Sequence, residues 1–189
     1  MINITTAIRQ GTSSLNKKSI KSSQLDSEIL LAKVLHRDRK YILLNPNNLI
    51  NNENLASYRK LIEERSKRRP IAQIINKKYF WNSEFFVSKH TLIPRPDTEL
   101  IVENVLRLTK YKKTLKILDI GTGSGCILIS ILQERKNFYG TGIDVSKNCL
   151  KLTKLNAINL NVNKRLKLYK SNVDKFNLGK YDLIVSNPP

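Results

Sequence analysis

Cysteine and histidine are scarce. Two cysteines, Cys126 and Cys149, and two histidines, His36 and His90, are spread over 189 residues. The cysteines are separated by a predicted strand and most of two helices, so they make neither a staple nor a metal signature, and each reads as a small buried hydrophobe. The histidines stand apart from each other, from both cysteines and from any carboxylate cluster. No metal site is expected. Long apolar runs are also missing: nothing approaches the ~18 residues that would cross a bilayer. Residues 1–10 have neither a basic start nor an apolar core, which argues against a secretory leader. The expectation is a cytoplasmic chain with no membrane partner.

Acidic residues are the other shortage. Asp and Glu number 15 against 34 Lys and Arg, a formal net charge of +19. Such an excess attracts nucleic acid weakly through its phosphates. The lysines are scattered, however, and occur in a chain crowded with Asn and Ile, which favours a compositional bias over a docking face. What is present fits a globular protein: 40% hydrophobic and 26% charged residues, enough for one ordinary domain and a small one.

Residues 1–70 carry helical periodicity. Leu25, Ile29, Ala32 and Leu35 recur at helical spacing over 24–37, with Asp26 and Glu28 near the start. Leu55, Tyr58, Leu61 and Ile62 share a face over 51–69, and Asn45-Pro46-Asn47-Asn48 separates the two helices. A short first helix over 4–10 is expected to end at Gly11. Pro70 closes the second long helix. Residues 71–87 are then rich in β-branched and aromatic side chains, predicting a hairpin with strands 73–81 and 84–87 and a turn at Asn82-Ser83. After an extended segment containing Pro94 and Pro96, Asp97 or Thr98 is positioned to cap a helix running to about Leu108.

From Leu115 strands and helices alternate: strand 115–120, helix 126–134, strand 138–143, helix 146–159, and strands 165–169 and 181–186. Cys149, Leu152 and Leu155 form the expected apolar face of the helix over 146–159. Strands spaced by helices of this length predict an α/β fold with a parallel sheet and right-handed crossovers.

The first strand runs into Leu118-Asp119-Ile120-Gly121-Thr122-Gly123-Ser124-Gly125. Glycines at such a turn admit a ligand where a Cβ would obstruct it. A P-loop would need a Gly-Lys-Ser/Thr ending that is missing here. The dinucleotide fingerprint would need glycine where Cys126 stands. The Gly-x-Gly-x-Gly spacing instead resembles the first motif of class I methyltransferases, whose loop passes beneath the amino-acid part of S-adenosylmethionine. Asp144, closing the second predicted strand, is suited to accept from both hydroxyls of a ribose. With strand order 3-2-1-4, Ser186-Asn187-Pro188-Pro189 ends the fourth strand beside that loop, where open sheets bind ligands. An Asn-Pro-Pro there resembles methyltransferases acting on amide or exocyclic amino nitrogen. Such a nitrogen is a poor nucleophile, because its lone pair is delocalised. Accepting its hydrogens at the Asn187 oxygen and the Pro188 carbonyl would localise density on it, with the prolines stiffening the loop.

Further segments narrow the resemblance. Arg69-Pro70-Ile71-Ala72-Gln73, Phe80-Trp81, Phe86-Val87, Thr91-Leu92-Ile93-Pro94-Arg95-Pro96-Asp97-Thr98-Glu99 and Glu28-Ile29-Leu30-Leu31-Ala32 together resemble the release-factor glutamine N5-methyltransferases, also called HemK-type. That resemblance implies a small helical substrate-docking domain over 1–70, a β-hairpin and interdomain linker over 71–96, and the start of a Rossmann-like class I S-adenosylmethionine-dependent methyltransferase domain over 97–189. In the family, an aromatic residue and about three more strands follow the second proline, so the domain expected here is incomplete at its C-terminus.

The implied reaction is methyl transfer from S-adenosylmethionine to the glutamine amide in the Gly-Gly-Gln motif of peptide-chain release factors, by a monomer. The resemblance assigns Gly121, Thr122, Gly123, Ser124 and Gly125 to the methionine moiety and Asp144 to the ribose. Asn172 and Val173 fall to the adenine, in place of the family's Asp and aromatic residue. Asn187 lies beside the cofactor, and with Pro188 and Pro189 binds the glutamine amide, Asn187 and Pro188 supplying the catalytic acceptors. The competing expectations are methylation of DNA or RNA amino groups, and a non-catalytic remnant that binds cofactor or release factor only.

Overall fold

The computed structural model describes residues 1–188, arranged as two compact units that divide after Ile75. The first unit is helical: α1 (Ile4–Asn16), α2 (Ser23–Val34), α3 (Arg39–Leu44), α4 (Asn52–Ser66) and α5 (Ile71–Ile75), with a short antiparallel pair of β1 (Ile2–Asn3) and β2 (Leu49–Ile50). Side-chain caps start three of the helices. Asn3 accepts from the Thr6 N–H, Asp38 from Tyr41 and Asn51 from Asn54, each satisfying a backbone donor that the first turn leaves open.

Helix α1 runs straight through Gly11, where the sequence suggested a stop. A Cβ at that position would collide with the Tyr58 hydroxyl and lie 3.0 Å from the Ile62 Cδ1, so the glycine permits close approach of α4. Asp26 and Glu28, expected near the start of a helix, are buried. Asp26 accepts from the Arg65 Nε at 2.7 Å and Glu28 from the Arg39 Nε at 2.6 Å, giving each buried carboxylate a cation.

The strand expected from Gln73 begins later. Residues 71–75 form α5 instead, because Pro70 both ends α4 and opens the next turn: its carbonyl accepts from the N–H groups of Gln73 and Ile74. A fixed φ suits proline to a helix start. The first five residues of the segment read as a linker therefore belong to the helical unit, and the hairpin belongs to the second unit.

That hairpin comprises β3 (Lys77–Phe80) and β4 (Ser83–Phe86), with Phe80 opposite Ser83. Its loop is Trp81-Asn82, one residue earlier than expected, with Trp81 in the left-handed region at φ 53°. A 3-10 turn, Pro96–Thr98, leads into α6 (Glu99–Leu108). Strand β5 (Lys116–Ile120), α7 (Cys126–Glu134), β6 (Tyr139–Asp144), α8 (Lys147–Asn159), β7 (Leu166–Lys170) and β8 (Leu183–Ser186) complete the unit.

The four strands from β5 onward are parallel and lie in the order β7-β6-β5-β8, the expected 3-2-1-4 arrangement. Helix α7 is buried on nearly every side, from Cys126 to Leu132, and forms the core with Phe80, Phe85, Val102, Ile117 and Phe138. Burial all round explains why Ser130 is the single polar residue between Cys126 and Leu132. Two consequences follow for the ends of the strands: β5 is central, and the segments leaving β5, β6 and β8 emerge side by side.

Candidate functional site

The turn after β5 is built by its neighbours. The N–H groups of Gly121 and Thr122 both donate to the Ile143 carbonyl, that of Gly123 to the Asp144 Oδ2 at 3.0 Å, and that of Gly125 to the Thr122 carbonyl at 2.7 Å. With these four donors engaged inside the protein, the turn is not an open nest of N–H groups of the kind that cradles phosphate. What it offers a ligand is room. Gly121 and Gly123 have φ of 74° and 59°, and among the described residues a Cβ on Gly121 would meet no atom within 4 Å. At Gly123 the nearest atom among the described residues would be the Gly121 carbonyl oxygen at 3.8 Å. Gly125 differs: its Cβ would come within 2.6 Å of the Thr153 Cγ2, so its smallness serves packing on α8.

Thr122 and Ser124, assigned to the cofactor by resemblance, are buried. The Thr122 hydroxyl donates to the Asp119 Oδ2 at 2.7 Å. Asp119 is 2% exposed, and burial pushes its carboxyl up to about 6; the nearby Asp144 charge adds to that rise, while the Thr122 hydrogen bond opposes it. Helix α8 supports the turn from behind. The Thr153 hydroxyl donates to the Gly123 carbonyl at 2.9 Å, and the Asn156 Nδ2 donates to the Ser124 carbonyl at 2.8 Å. Asn156 also exchanges two hydrogen bonds with the backbone of Phe86.

This inner face of α8 corrects the sequence expectation. Leu155, expected in an apolar stripe, is 48% exposed, and the buried positions include Thr153 and Asn156. A face turned toward a backbone loop must satisfy carbonyls, which leucine cannot do.

Asp144 ends β6 with its carboxylate fixed by two backbone donors, Gly123 on Oδ2 and Ser146 on Oδ1 at 2.8 Å. Each oxygen retains acceptor capacity for a further donor. Ser146 caps α8 as the sequence allowed, accepting from the Cys149 N–H. Asn172 and Val173 lie just beyond the end of β7, whose Lys170 pairs with Asp144, so both come to the same end of the sheet. Both are exposed. The Asn172 Oδ1 caps the following 3-10 turn by accepting from the Lys175 N–H at 3.1 Å, and Val173 opens that turn.

Asn187 follows β8. Ile120 is paired with Ser186, whose hydroxyl donates to the Ile120 carbonyl at 2.9 Å, so Gly121 and Asn187 are the next residues on two adjacent strands. The Asn187 Nδ2 donates to the Thr98 Oγ1 at 3.0 Å. Thr98, expected as a helix cap, makes no such capping bond. Pro188 is exposed and continues the segment; Pro189 lies outside the described residues. Sequence reasoning assigned no role to Asp119, Thr153 or Asn156. Asp119 had a visible signal as the acid before the turn, whereas the other two are recognisable only through partners far away in the chain. Among the described residues no cluster of metal-ligating side chains occurs, and no helix is long and apolar enough to cross a membrane.

A central parallel strand, an open glycine turn and an acid at the end of the adjacent strand define a class I, Rossmann-like methyltransferase domain. Residues 6–75 match the family model described as PrmC N-terminal domain, and residues 96–189 match Methyltransferase small domain. The chain belongs to the release factor glutamine methyltransferase family. The Release factor glutamine methyltransferase of Leptospira interrogans is 41% identical over 194 residues, covering 98% of this chain and 66% of its own length. That of Buchnera aphidicola is 39% identical, covering 92% of this chain and 62% of its own. A Bifunctional methyltransferase of Rickettsia felis is 37% identical over 96% of this chain and 40% of its own. The chain thus spans 40% to 66% of the length of these three relatives. Among solved structures, YjhP of Escherichia coli aligns with 50% of this chain and 38% of its own at 28% identity, with a TM-score of 0.43.

Proposed function

We propose that the second unit binds S-adenosylmethionine and directs its methyl group to the side-chain amide nitrogen of the glutamine in the Gly-Gly-Gln motif of peptide-chain release factors. The pairing of β5 with β8 carries this reading, because it sets Asn187 beside the open glycine turn. The residues fit the cofactor. The space over Gly121 and Gly123 suits a zwitterionic amino-acid moiety that needs room more than a phosphate cradle. Asp144 presents an oriented carboxylate to a ribose diol. Asn172 and Val173 flank the adenine at the end of β7, with the Asn172 side-chain oxygen already engaged, so contact there falls to its backbone and to the Val173 side chain.

When bound, S-adenosylmethionine supplies an electrophilic methyl carbon on a sulfonium leaving group. The chain's task is to hold the amide nitrogen in line with that carbon and to raise its electron density. The Asn187 Oδ1 accepts one amide hydrogen and the Pro188 carbonyl the other. Both hydrogens stay on nitrogen while it attacks, and both bonds strengthen as positive charge develops there, which favours the transition state over the ground state. As the N–C bond forms, the electrons of the broken C–S bond stay with the sulfur, and the cationic nitrogen then releases one of its two hydrogens as a proton to solvent, leaving the neutral N-methylamide. Pro188, followed by Pro189 in the sequence, limits the rotations that would separate the two acceptors. The helical unit docks the protein substrate, a role supported by its match to the PrmC N-terminal domain model. Release factors act where ribosomes terminate, so the reaction belongs to the cytoplasm.

Methylation of DNA or RNA amino groups uses similar acceptors, but the PrmC-type helical unit favours the protein substrate. Methyl transfer from labelled S-adenosylmethionine to a release factor, with DNA and RNA in parallel, separates these readings. Label in the release factor is expected. Label in nucleic acid alone overturns the assignment, as does a folded chain that fails to bind S-adenosylmethionine in a calorimetric titration.

A further inference from the structure

The amide of Asn187 has a partner that the proposed chemistry does not itself require. Its Nδ2 donates to the Thr98 Oγ1 at 3.0 Å, across 89 positions of sequence. Thr98 is 7% exposed and ends the 3-10 turn Pro96–Thr98, where its own N–H donates to the Arg95 carbonyl. Its hydroxyl is not used to cap α6. A turn opened by Pro96, exposed at Pro96 and Asp97 and buried at Thr98, therefore presents one hydroxyl to the residue after β8.

An asparagine side chain rotated by half a turn offers hydrogens where it had offered oxygen. For an acceptor of substrate N–H bonds the two orientations are opposites: one polarises the amide nitrogen and the other repels it. A hydrogen bond on Nδ2 fixes the amide plane and leaves Oδ1 on the side away from Thr98. We propose that Thr98 is a positioning residue that holds the Asn187 amide plane, in the observed orientation with its nitrogen on Thr98 and its oxygen toward a substrate carboxamide. This rests on the assignment of Asn187 as the amide acceptor. It also gives the Pro-Arg-Pro-Asp-Thr segment of the second unit a part in the reaction beyond leading into α6. Pre-setting one rotamer of one acceptor acts on the orientation of the reacting nitrogen and leaves the grip on the cofactor alone.

The test compares Thr98→Val, which keeps the shape and removes the hydrogen-bonding oxygen, with Thr98→Ser, which keeps the oxygen. The first readout needs no turnover. The Asn187 side-chain NH2 resonances, assigned by their loss in Asn187→Ala, are expected to exchange slowly with solvent in the wild type. They should exchange several-fold faster in Thr98→Val, and revert in Thr98→Ser. The second readout is kinetic. In Thr98→Val, kcat for glutamine methylation is expected to fall between about tenfold and about a hundredfold, with the S-adenosylmethionine affinity held within about twofold, and Thr98→Ser is expected to restore kcat.

Unchanged exchange and unchanged kcat in Thr98→Val overturn the proposal, and so does an equal loss of kcat in the Val and Ser variants. A wild-type chain that binds S-adenosylmethionine but methylates no amide overturns the functional reading and with it the catalytic role of Thr98. Because that failure appears in the wild type and not in the variants, it is distinguishable from failure of the positioning contact.

Discussion

The backbone N–H of Gly123 donates to the Oδ2 of Asp144 at 3.0 Å. The acid that ends β6 is thus also a strut of the glycine turn, and its second oxygen is held by Ser146. Its orientation is set before any ligand arrives. In Asp144→Asn one of the two side-chain positions becomes an NH2 facing a backbone N–H. We predict that S-adenosylmethionine affinity falls between about tenfold and about a hundredfold, the loss expected for a charged acceptor. Calorimetry checks this; an unchanged affinity would remove Asp144 from the ribose site.

The glycines of the turn should separate binding from stability. A Cβ at Gly121 meets no atom of the described residues within 4 Å, so Gly121→Ala carries the left-handed backbone cost of about 1–2 kcal/mol. It fills the space proposed for the cofactor, however, and affinity should collapse while the fold survives. Gly125→Ala adds a clash with Thr153 and Ile129, costing about 2–4 kcal/mol in all. Urea unfolding and cofactor titration of the two variants should give opposite rank orders.

Asn156 is fully buried and satisfies both backbone groups of Phe86 and the carbonyl of Ser124. Asn156→Ala leaves three backbone groups without a partner and is predicted to cost about 2–4 kcal/mol by urea unfolding. Leu155→Ala, one residue away on an exposed position, should stay within about 0.5 kcal/mol. Similar losses from the two would contradict the inward-facing polar face of α8.

Asp119 gives a pH signature. Its carboxyl is raised from 3.8 to about 6 in the folded chain, chiefly by burial. Between those values the folded state holds a proton that the unfolded state has released, so stability falls as pH rises from about 4 through about 6. Above that the penalty is fully present, roughly 3 kcal/mol at most. Asp119→Asn removes the titration. Stability measured from pH 4 to 7 should therefore decline more steeply in the wild type than in the variant, and parallel curves would contradict the raised carboxyl.

The sheet was legible because its signals are local. Short runs such as Lys116–Ile120 and Leu183–Ser186 marked the strands, and the order 3-2-1-4 expected of them is the one observed. The residues behind the turn were not legible, since Asn156 finds its partners at Phe86 and Ser124, and Thr98 finds its partner at Asn187. A polar residue on a helix looks like a solvent face until its distant carbonyl is known. Gly11 and Pro70 misled for a related reason. Both are local stop signals, yet packing against Tyr58 carried α1 through the first, and the second opened a new helix. Asn172 follows the third strand of the sheet as expected, at the end where Asp144 lies, while its side chain proved to be occupied by a cap.

The central claim is that Asn187, beside the glycine turn, directs methyl transfer to a glutamine amide. Its most direct test is mass spectrometry of a release factor incubated with this chain and S-adenosylmethionine, reading the Gly-Gly-Gln peptide residue by residue. The account predicts one added methyl group on the glutamine side chain, lost in Asn187→Ala while S-adenosylmethionine still binds. Methylation at another residue, or at the glutamine but undiminished in Asn187→Ala, would contradict it.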